Sequence, residues 1–216
     1  MSTIKIVSIE GNIGSGKSTL VKKLKELMPS DKYVFIAEPV DVWSSITDKN
    51  GENILEKFYR DQTKYAFPFQ MMAYISRLHL IKETMKNNPE KVIIIERSCL
   101  TDRNVFAKML YDDEKIEDVC YQIYNMYFDH FLSALNFSNI IFVNTDPNIC
   151  HRRVNKRDRS GEDNISLAYL EKCHQYHLDW LSSTDLNILE VNGNSEFETD
   201  EEVLMDYVAK VKNFIS

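Results

Sequence analysis

Glycine and proline are few in this chain, six and five residues among 216, and they gather in no linker-like stretch. Without a Pro/Gly/Ser-rich break, an internal repeat or a low-complexity tract, nothing divides the sequence, and one domain is expected over residues 1–216. A chain of this length buries roughly 70% of its unfolded surface, so a core needs no disulfide or structural metal. Cysteine is equally sparse: Cys99, Cys120, Cys150 and Cys173 are far apart and form no CxxC pair. That excludes a disulfide framework and a zinc-ribbon pattern, and it points to reduced thiols. His174 and His177 form an H-x-x-H with no second ligand pair nearby, so a mostly solvated helix face is expected there.

Long hydrophobic runs are also missing. Uninterrupted aliphatic stretches such as Val92 to Ile95 fall far short of the ~18 apolar residues of a membrane span. Met1-Ser2-Thr3-Ile4-Lys5 lacks the charged and apolar regions of a signal peptide, so a soluble, cytoplasmic protein without a membrane partner is expected. An organelle-targeting extension removed earlier would leave no trace. Nor is there a cationic excess: 26 Lys plus Arg stand against 33 Asp plus Glu, a formal charge of −7. This argues against a nucleic-acid-coating protein, whose affinity comes from neutralising phosphates. A small anionic ligand stays open, because one local basic pocket suffices for it. The 44% hydrophobic and 27% charged content is ordinary for a globular domain.

Short β-branched runs alternate with longer helix-period segments, the βαβ signature of a parallel sheet. Strands are predicted at Ile4–Ile9, Tyr33–Ala37, Val92–Glu96, Asn139–Asn144 and Asn187–Val191. Several carry apolar residues on consecutive positions, as expected when helices cover both faces. Helices are predicted at Lys17–Met28, Ile54–Tyr65, Phe69–Asn87, Thr101–Leu110, Ile116–Leu135, Pro147–Lys156, Leu167–Leu181 and about Asp200–Phe214. Asp146-Pro147 supplies an N-cap with proline at the first helical position, and Thr199 with Glu202 has capping-box spacing. The expected fold is an α/β three-layer domain of the P-loop type: a five-stranded parallel sheet, right-handed crossovers and helices on both faces.

Gly11-Asn12-Ile13-Gly14-Ser15-Gly16-Lys17-Ser18 matches G-x-x-x-x-G-K-[ST] between the first strand and the first helix. Backbone N–H groups of such a loop curl around a polyphosphate, and the helix N-terminus adds favourable partial charge. Lys17 can reach the β- and γ-phosphates, and the Ser18 hydroxyl can bind Mg²⁺. Val92–Glu96 reads as a buried strand ending in an acid, placed to hold the metal through water or, alternatively, to cap a helix. Two GTPase-like words do not count. Asn155-Lys156-Arg157-Asp158 spells N-K-x-D and Asp48-Lys49-Asn50-Gly51 spells D-x-x-G, but neither follows an apolar strand.

A second constellation suits an acceptor. Glu38-Pro39-Val40, with Trp43 following, places a carboxylate at the C-terminal edge of the second strand, where ligands bind in such sheets. That carboxylate could take a proton from an attacking hydroxyl. Phe67-Pro68-Phe69-Gln70 opens a helix on which Gln70, Ala73 and Arg77 share one face, an arrangement suited to a planar heterocycle. Glu96-Arg97-Ser98 is followed by Asp102-Arg103, and Arg97 could clamp phosphoryl oxygens or the carboxylate of Glu38. Arg152, Arg153, Lys156, Arg157 and Arg159 crowd one stretch ending in Ser160-Gly161-Glu162, so a basic lid over phosphates is expected at about residues 152–164.

With these residues assembled, the chain resembles the deoxynucleoside kinase family, in its deoxycytidine and deoxyguanosine kinase branch. The likeness rests on the G-N-I-x-x-G-K-S-T loop through Thr19, Glu38-Pro39-Val40 with Trp43, Phe69-Gln70, Glu96-Arg97-Ser98 and Arg153-x-x-x-Arg157-x-Arg159-x-x-Glu162. Tyr169-Leu170-Glu171-Lys172, His174 and Trp180-Leu181 extend it over roughly Ile4 to Phe197. The resemblance implies an ATP-dependent enzyme, aided by Mg²⁺, that phosphorylates the 5′-hydroxyl of a deoxyribonucleoside as a homodimer built on a helical face. It implies Glu38 as general base with Arg97 beside it, Lys17 on the transferred phosphoryl, and Glu96 with Ser18 at the metal. Gln70 would read the base edge; Val40, Trp43, Leu55, Phe58, Phe69 and Phe106 would line the nucleoside pocket. Tyr59 and Glu162 would hold the 3′-hydroxyl, and Arg153, Arg157 and Arg159 would close over ATP. Asn192 to Phe197 would lie near the adenine, although Gly193-Asn194-Ser195 departs from the family pattern. Arg77 and Asp102, with Ala73, mark the branch that favours deoxycytidine or a purine deoxynucleoside over thymidine. Two other readings stay open on the residues alone: a nucleoside monophosphate kinase such as thymidylate kinase, and a nucleotide-binding regulatory module without transfer chemistry.

Overall fold

The β-branched runs become five parallel strands: β1 (Ile6–Glu10), β2 (Tyr33–Ile36), β3 (Val92–Glu96), β4 (Phe137–Asn144) and β5 (Asn187–Asn192). The computed structural model describes residues 4–157, 159, 161–162, 165–195, 197 and 199–215. Strand order is β2-β3-β1-β4-β5, so β1 is central and every residue of it is buried. That burial on two faces is why its sequence, like that of β3, runs apolar without alternation.

Among the described residues ten α-helices flank the sheet: α1 (Lys17–Leu27), α2 (Val40–Ser45), α3 (Ile54–Arg60), α4 (Gln62–Asn87), α5 (Cys99–Thr101), α6 (Lys108–Asp112), α7 (Asp118–Leu132), α8 (Pro147–Arg157), α9 (Leu167–Ser183) and α10 (Glu201–Ile215), with a π-helical turn over Asp102–Ala107 between α5 and α6. On one face, Val7, Ile9, Ile94 and Ile141 pack against Leu20 and Leu24 of α1 and Val208 and Val211 of α10. On the other, Ile6, Ile93 and Ile95 meet Tyr74 and Leu78 of α4 and Tyr124 and Phe128 of α7.

The helix boundaries hold several corrections. One helix expected over Ile54–Tyr65 is two: α3 closes at Arg60, and Asp61 then caps α4 by accepting the Lys64 N–H at 3.2 Å. Pro68 therefore lies inside α4 and does not open it. Its missing N–H removes one bond to the Lys64 carbonyl, but Lys64 is exposed, and Ala66, Phe69 and Gln70 bury the face on either side. Thr101–Leu110 is not one α-helix, since the π turn interrupts it. The short α2 was missed because Val40–Ser45 is too brief to show a period. Asp146 caps α8 as expected, its Oδ1 accepting from the Asn148 N–H at 2.7 Å. At α10, however, Asp200 is the cap, accepting from Glu202 and Val203, in place of Thr199.

His177 is fully buried between Phe106 and Phe142, not on a solvated face. Its Nδ1 lies 2.7 Å from the Cys173 carbonyl, and burial lowers its pKa to about 3, so the ring is neutral. No group of three or more His, Cys, Asp and Glu side chains among the described residues could hold a metal ion. No helix among them is long and apolar enough to cross a membrane.

Candidate active site

The C-terminal edges of β1, β2 and β3 open onto one cleft of about 770 Å³. Phosphate-binding geometry is built at the end of β1. Gly11 and Gly14 have φ of +145° and +77°, and a Cβ on Gly14 would come within 2.6 Å of the Cys150 carbonyl. Only glycine lets the loop curl tightly enough there. Gly16 then caps α1, whose N-terminus opens into the cleft beside Lys17 and Ser18. Ile13, Gly14, Gly16, Lys17, Ser18 and Thr19 line the cleft, whereas Gly11, Asn12 and Ser15 do not. Asn12 is a brace: its Nδ2 donates to the Leu170 carbonyl at 2.8 Å and its Oδ1 accepts from Ile13 at 2.9 Å. Ser15 is fully buried, and its carbonyl accepts from Thr145 Oγ1 at 2.9 Å.

Lys17 Nζ donates to the Asn12 carbonyl at 2.6 Å. Burial, and then the nearby Arg97 charge, lowers its pKa to about 7. Ser18 Oγ donates to Glu96 Oε1 at 2.5 Å, so a hydroxyl and a carboxylate converge at the cleft. These are the hard oxygen donors Mg²⁺ takes while keeping most of its waters, and the pair fits such an ion. Glu96 caps no helix; Ser98 caps α5 by accepting from the Leu100 N–H.

At the acceptor end, Glu38 follows β2 and both arginines converge on one of its oxygens. Arg77 Nη2 lies 2.7 Å and Arg97 Nη1 3.2 Å from Oε1. Burial alone would raise the Glu38 pKa, but Arg97, Arg77 and Lys17 outweigh it and hold the carboxyl well below the usual range. Arg77 turns its Nε to Asp102, 3.2 and 2.9 Å from the two carboxylate oxygens, with both side chains almost wholly buried. Burial pushes Asp102 up to about 6 against the pull of Arg77, so the pair is charged at neutral pH.

The apolar wall is aromatic. Phe58 stacks on Phe69 at 4.5 Å between centroids, and Trp43 meets Phe69 edge-on at 5.7 Å. Trp43 is fixed from behind by Nε1 donating to Ser76 Oγ at 2.9 Å. Arg97 lies over the Phe106 ring, 4.8 Å from its centroid. Val40, Leu55, Tyr59 and Ala73 complete the lining, and Gln70 presents a buried Oε1 without a partner among the described residues.

The basic stretch also reaches the cleft. Arg153 Nη1 donates to the carbonyls of Gly193 at 2.8 Å and Ser15 at 3.4 Å, which brings Ser195 and Phe197 beside the phosphate loop. Arg157 and Arg159 both pair with Glu162, so Glu162 enters the site as an ion-pair partner. Asp158 and Ser160 of this stretch lie outside the described residues. The D-x-x-G word is a surface turn in which Asp48 Oδ1 accepts from Asn50.

Sequence reasoning overlooked Glu10, Ser98 and Thr101, which are fully buried together behind the cleft. The available signal was a carboxylate at the last position of the first strand, directly before Gly11. Ile149 and Tyr169 also line the cleft without having been assigned there, and Arg152 lines it with the rest of the basic stretch.

The sequence model described as deoxynucleoside kinase matches residues 7–216. A probable deoxycytidine kinase of fowlpox virus is 33% identical, over 100% of this chain and 90% of its own length. The deoxycytidine kinase of Homo sapiens is 32% identical over 99% and 92%. Deoxycytidine kinase 2 of Gallus gallus is 31% identical over 99% and 91%.

The lowered pKa of Lys17 makes triphosphate binding pH-linked. Above pH 7 the free protein loses the Lys17 proton, whereas the bound phosphates require the ammonium. Binding at pH 8 should therefore take up close to one proton, and ATP affinity should fall by about tenfold per pH unit beyond 7. Calorimetry in two buffers of different ionisation enthalpy reads the uptake. Lys17→Ala should abolish it and weaken ATP while leaving nucleoside binding largely intact; proton-neutral binding by the wild type would refute the linkage.

Proposed function

Because the chain belongs to the deoxynucleoside kinase family and is an ATP-dependent deoxynucleoside kinase, we propose that its preferred acceptors are deoxycytidine and the purine deoxynucleosides, with thymidine poorer. The observation that carries the acceptor reading is the Glu38 carboxylate held on Oε1 by Arg77 and Arg97. Both guanidinium bonds go to one oxygen, which leaves Oε2 for an incoming hydroxyl. The acceptor end is also neutral overall, since Glu38 and Asp102 balance Arg77 and Arg97. A nucleoside monophosphate would bring extra negative charge to a place with no cation left to receive it. That weighs against a nucleoside monophosphate kinase.

In the mechanism this supports, the phosphate loop binds the ATP phosphates through backbone N–H groups and Lys17. Ser18 and Glu96 would hold Mg²⁺, which when bound would supply positive charge against the phosphate oxygens. Glu38 accepts a hydrogen bond from the 5′-hydroxyl, orients its lone pair toward the γ-phosphorus and receives its proton as the bond to phosphorus forms. Arg97, between Glu38 and the phosphate loop, stabilises charge on the transferred group; Arg153, Arg157 and Arg159 close the phosphate side and exclude water. Trp43, Phe58, Phe69 and Phe106 hold the base plane and Gln70 its edge. Tyr59 and Glu162 hold the 3′-hydroxyl, Glu162 by exchanging part of its ion pairing for that contact.

Base preference would follow from Asp102. A carboxylate only accepts hydrogen bonds, so it suits the exocyclic amino group of cytosine or adenine. Thymine offers a carbonyl and a methyl there, leaving the buried pair poorly satisfied. Guanine would have to turn its carbonyl toward Arg77 and ranks between the two groups. Four free cysteines accord with a reducing, cytoplasmic setting. Val119, Ile123, Met126, Tyr127 and Phe131 form an exposed stripe on α7, beside exposed Ile75 on α4. A second copy covering that helical face would make the homodimer.

Four outcomes test this. Glu38→Gln should fold and bind nucleoside yet lose about 10² to 10⁴-fold in turnover, and near-normal turnover would remove Glu38 from its role. A chromatographic panel of deoxynucleosides and their monophosphates should rank deoxycytidine or deoxyadenosine first by kcat/KM and give no diphosphate. Arg77→Met with Asp102→Ala should shift preference toward thymidine, with reduced turnover because Arg77 also holds Glu38; a wild type preferring thymidine would overturn the assignment. Met126→Glu should convert a dimer into a monomer in light scattering, and an unchanged mass would place the interface elsewhere.

A further inference from the structure

Glu10 ends β1 with no exposed surface, and no cation touches it among the described residues. Its carboxylate is instead saturated by neutral donors from the segment after β3. Oε1 accepts from the Ser98 N–H at 3.0 Å and Ser98 Oγ at 2.5 Å, and Oε2 accepts from Thr101 Oγ1 at 2.5 Å. Ser98 Oγ also accepts from the Leu100 N–H at 3.2 Å, so its single proton is committed to Glu10.

This clamp grips the residue next to Arg97. Arg97 is held at φ +57°, a conformation L side chains rarely adopt, while its N–H donates to the Ile9 carbonyl at 2.9 Å. Its Nη2 returns to the Gly11 carbonyl at 3.1 Å. The pairs Glu10-Gly11 and Arg97-Ser98 are thus tied reciprocally, side chain to backbone in both directions. Without the Glu10 bonds, the Ser98 side is held only by the Leu100 N–H on its hydroxyl and the Asp102 N–H on its carbonyl, and relaxation of that backbone toward an extended conformation would swing the guanidinium away from Glu38. We propose that Glu10 is a positioning residue for phosphoryl transfer: it holds the strained Arg97 backbone so that the guanidinium reaches both Glu38 and the phosphate loop. The inference rests on Arg97 acting in transfer, as set out above.

The test separates the two. Arg97→Lys should lower kcat; if it does not, both assignments fall. Glu10→Gln keeps the shape but faces Thr101 with an amide donor, and kcat should drop on the order of 10- to 100-fold. KM for ATP and nucleoside should stay within about threefold, because the binding pockets lie elsewhere. In the Arg97→Lys background the Glu10→Gln change should cost little more, since its effect passes through the lost guanidinium. Ser98→Ala and Thr101→Val, which each remove one donor, should give smaller losses of the same kind and decide the matter if Glu10→Gln does not fold. A Glu10→Gln enzyme with native kcat, or losses that multiply with Arg97→Lys, would overturn the proposal.

Discussion

Two arginines and two carboxylates share a volume from which water is nearly excluded, and the active cleft is arranged around that balance. Arg77 spans Asp102 and Glu38, and Arg97 spans Glu38 and the Gly11 carbonyl, so helix α4, the π turn, the end of β2 and the phosphate loop meet in one network. A buried charge left alone by loss of its partner costs about 3–5 kcal/mol, which makes each member dependent on the others. The same balance keeps Glu38 ionised far into acid. A carboxylate so weakly basic is a poor match for early proton abstraction, which favours a base whose pKa lies near the working pH. It suits a loose transition state, in which the hydroxyl loses its proton only as the bond to phosphorus forms. In the proposed mechanism Glu38 would then contribute chiefly by orienting the nucleophile, and the arginines by orienting Glu38.

The elements most legible in the sequence were those dictated by one dominant local rule. β1 and β3 are buried on both faces, so their apolar runs announced them to within two residues. The glycine pattern before Lys17 announced the phosphate loop because few other sequences tolerate that curl. Glu38, Gln70, Arg77, Glu96, Arg97, Asp102 and Phe106 lie far apart along the chain, yet all line the one cleft. Motif order carried that much, although which residue touches which was not in it.

What was not legible depends on tertiary partners. Pro68 reads as a helix breaker, and only the burial of its neighbours in α4 shows why the helix runs through it. The π turn at Asp102–Ala107 has no composition of its own; it carries Asp102 and Phe106 together into the cleft. His177 resembled a solvated helix residue until packing placed Phe106 and Phe142 against it. Glu10 was the largest omission. A buried carboxylate with only hydroxyl and amide partners leaves no charge pattern for a sequence reading to find.

The charge map of the cleft carries one more consequence. On the phosphate side Lys17, Arg152, Arg153, Lys156, Arg157 and Arg159 face the cleft with Glu96 and Glu162 between them, an excess of positive charge on a protein of net charge −7. At the acceptor side the charges cancel. In the proposed binding mode triphosphate would be drawn to one end by local potential, while a neutral nucleoside would enter the other through apolar burial and hydrogen bonds. Transfer places a dianionic group beside Glu38, where no unpaired cation waits. The product is consequently less compatible with the acceptor end than the substrate was, and the field that binds ATP does nothing to retain it there. If the proposed acceptor site holds, one asymmetry would account for two expected properties: refusal of acceptors already phosphorylated, and release of the monophosphate once it is made.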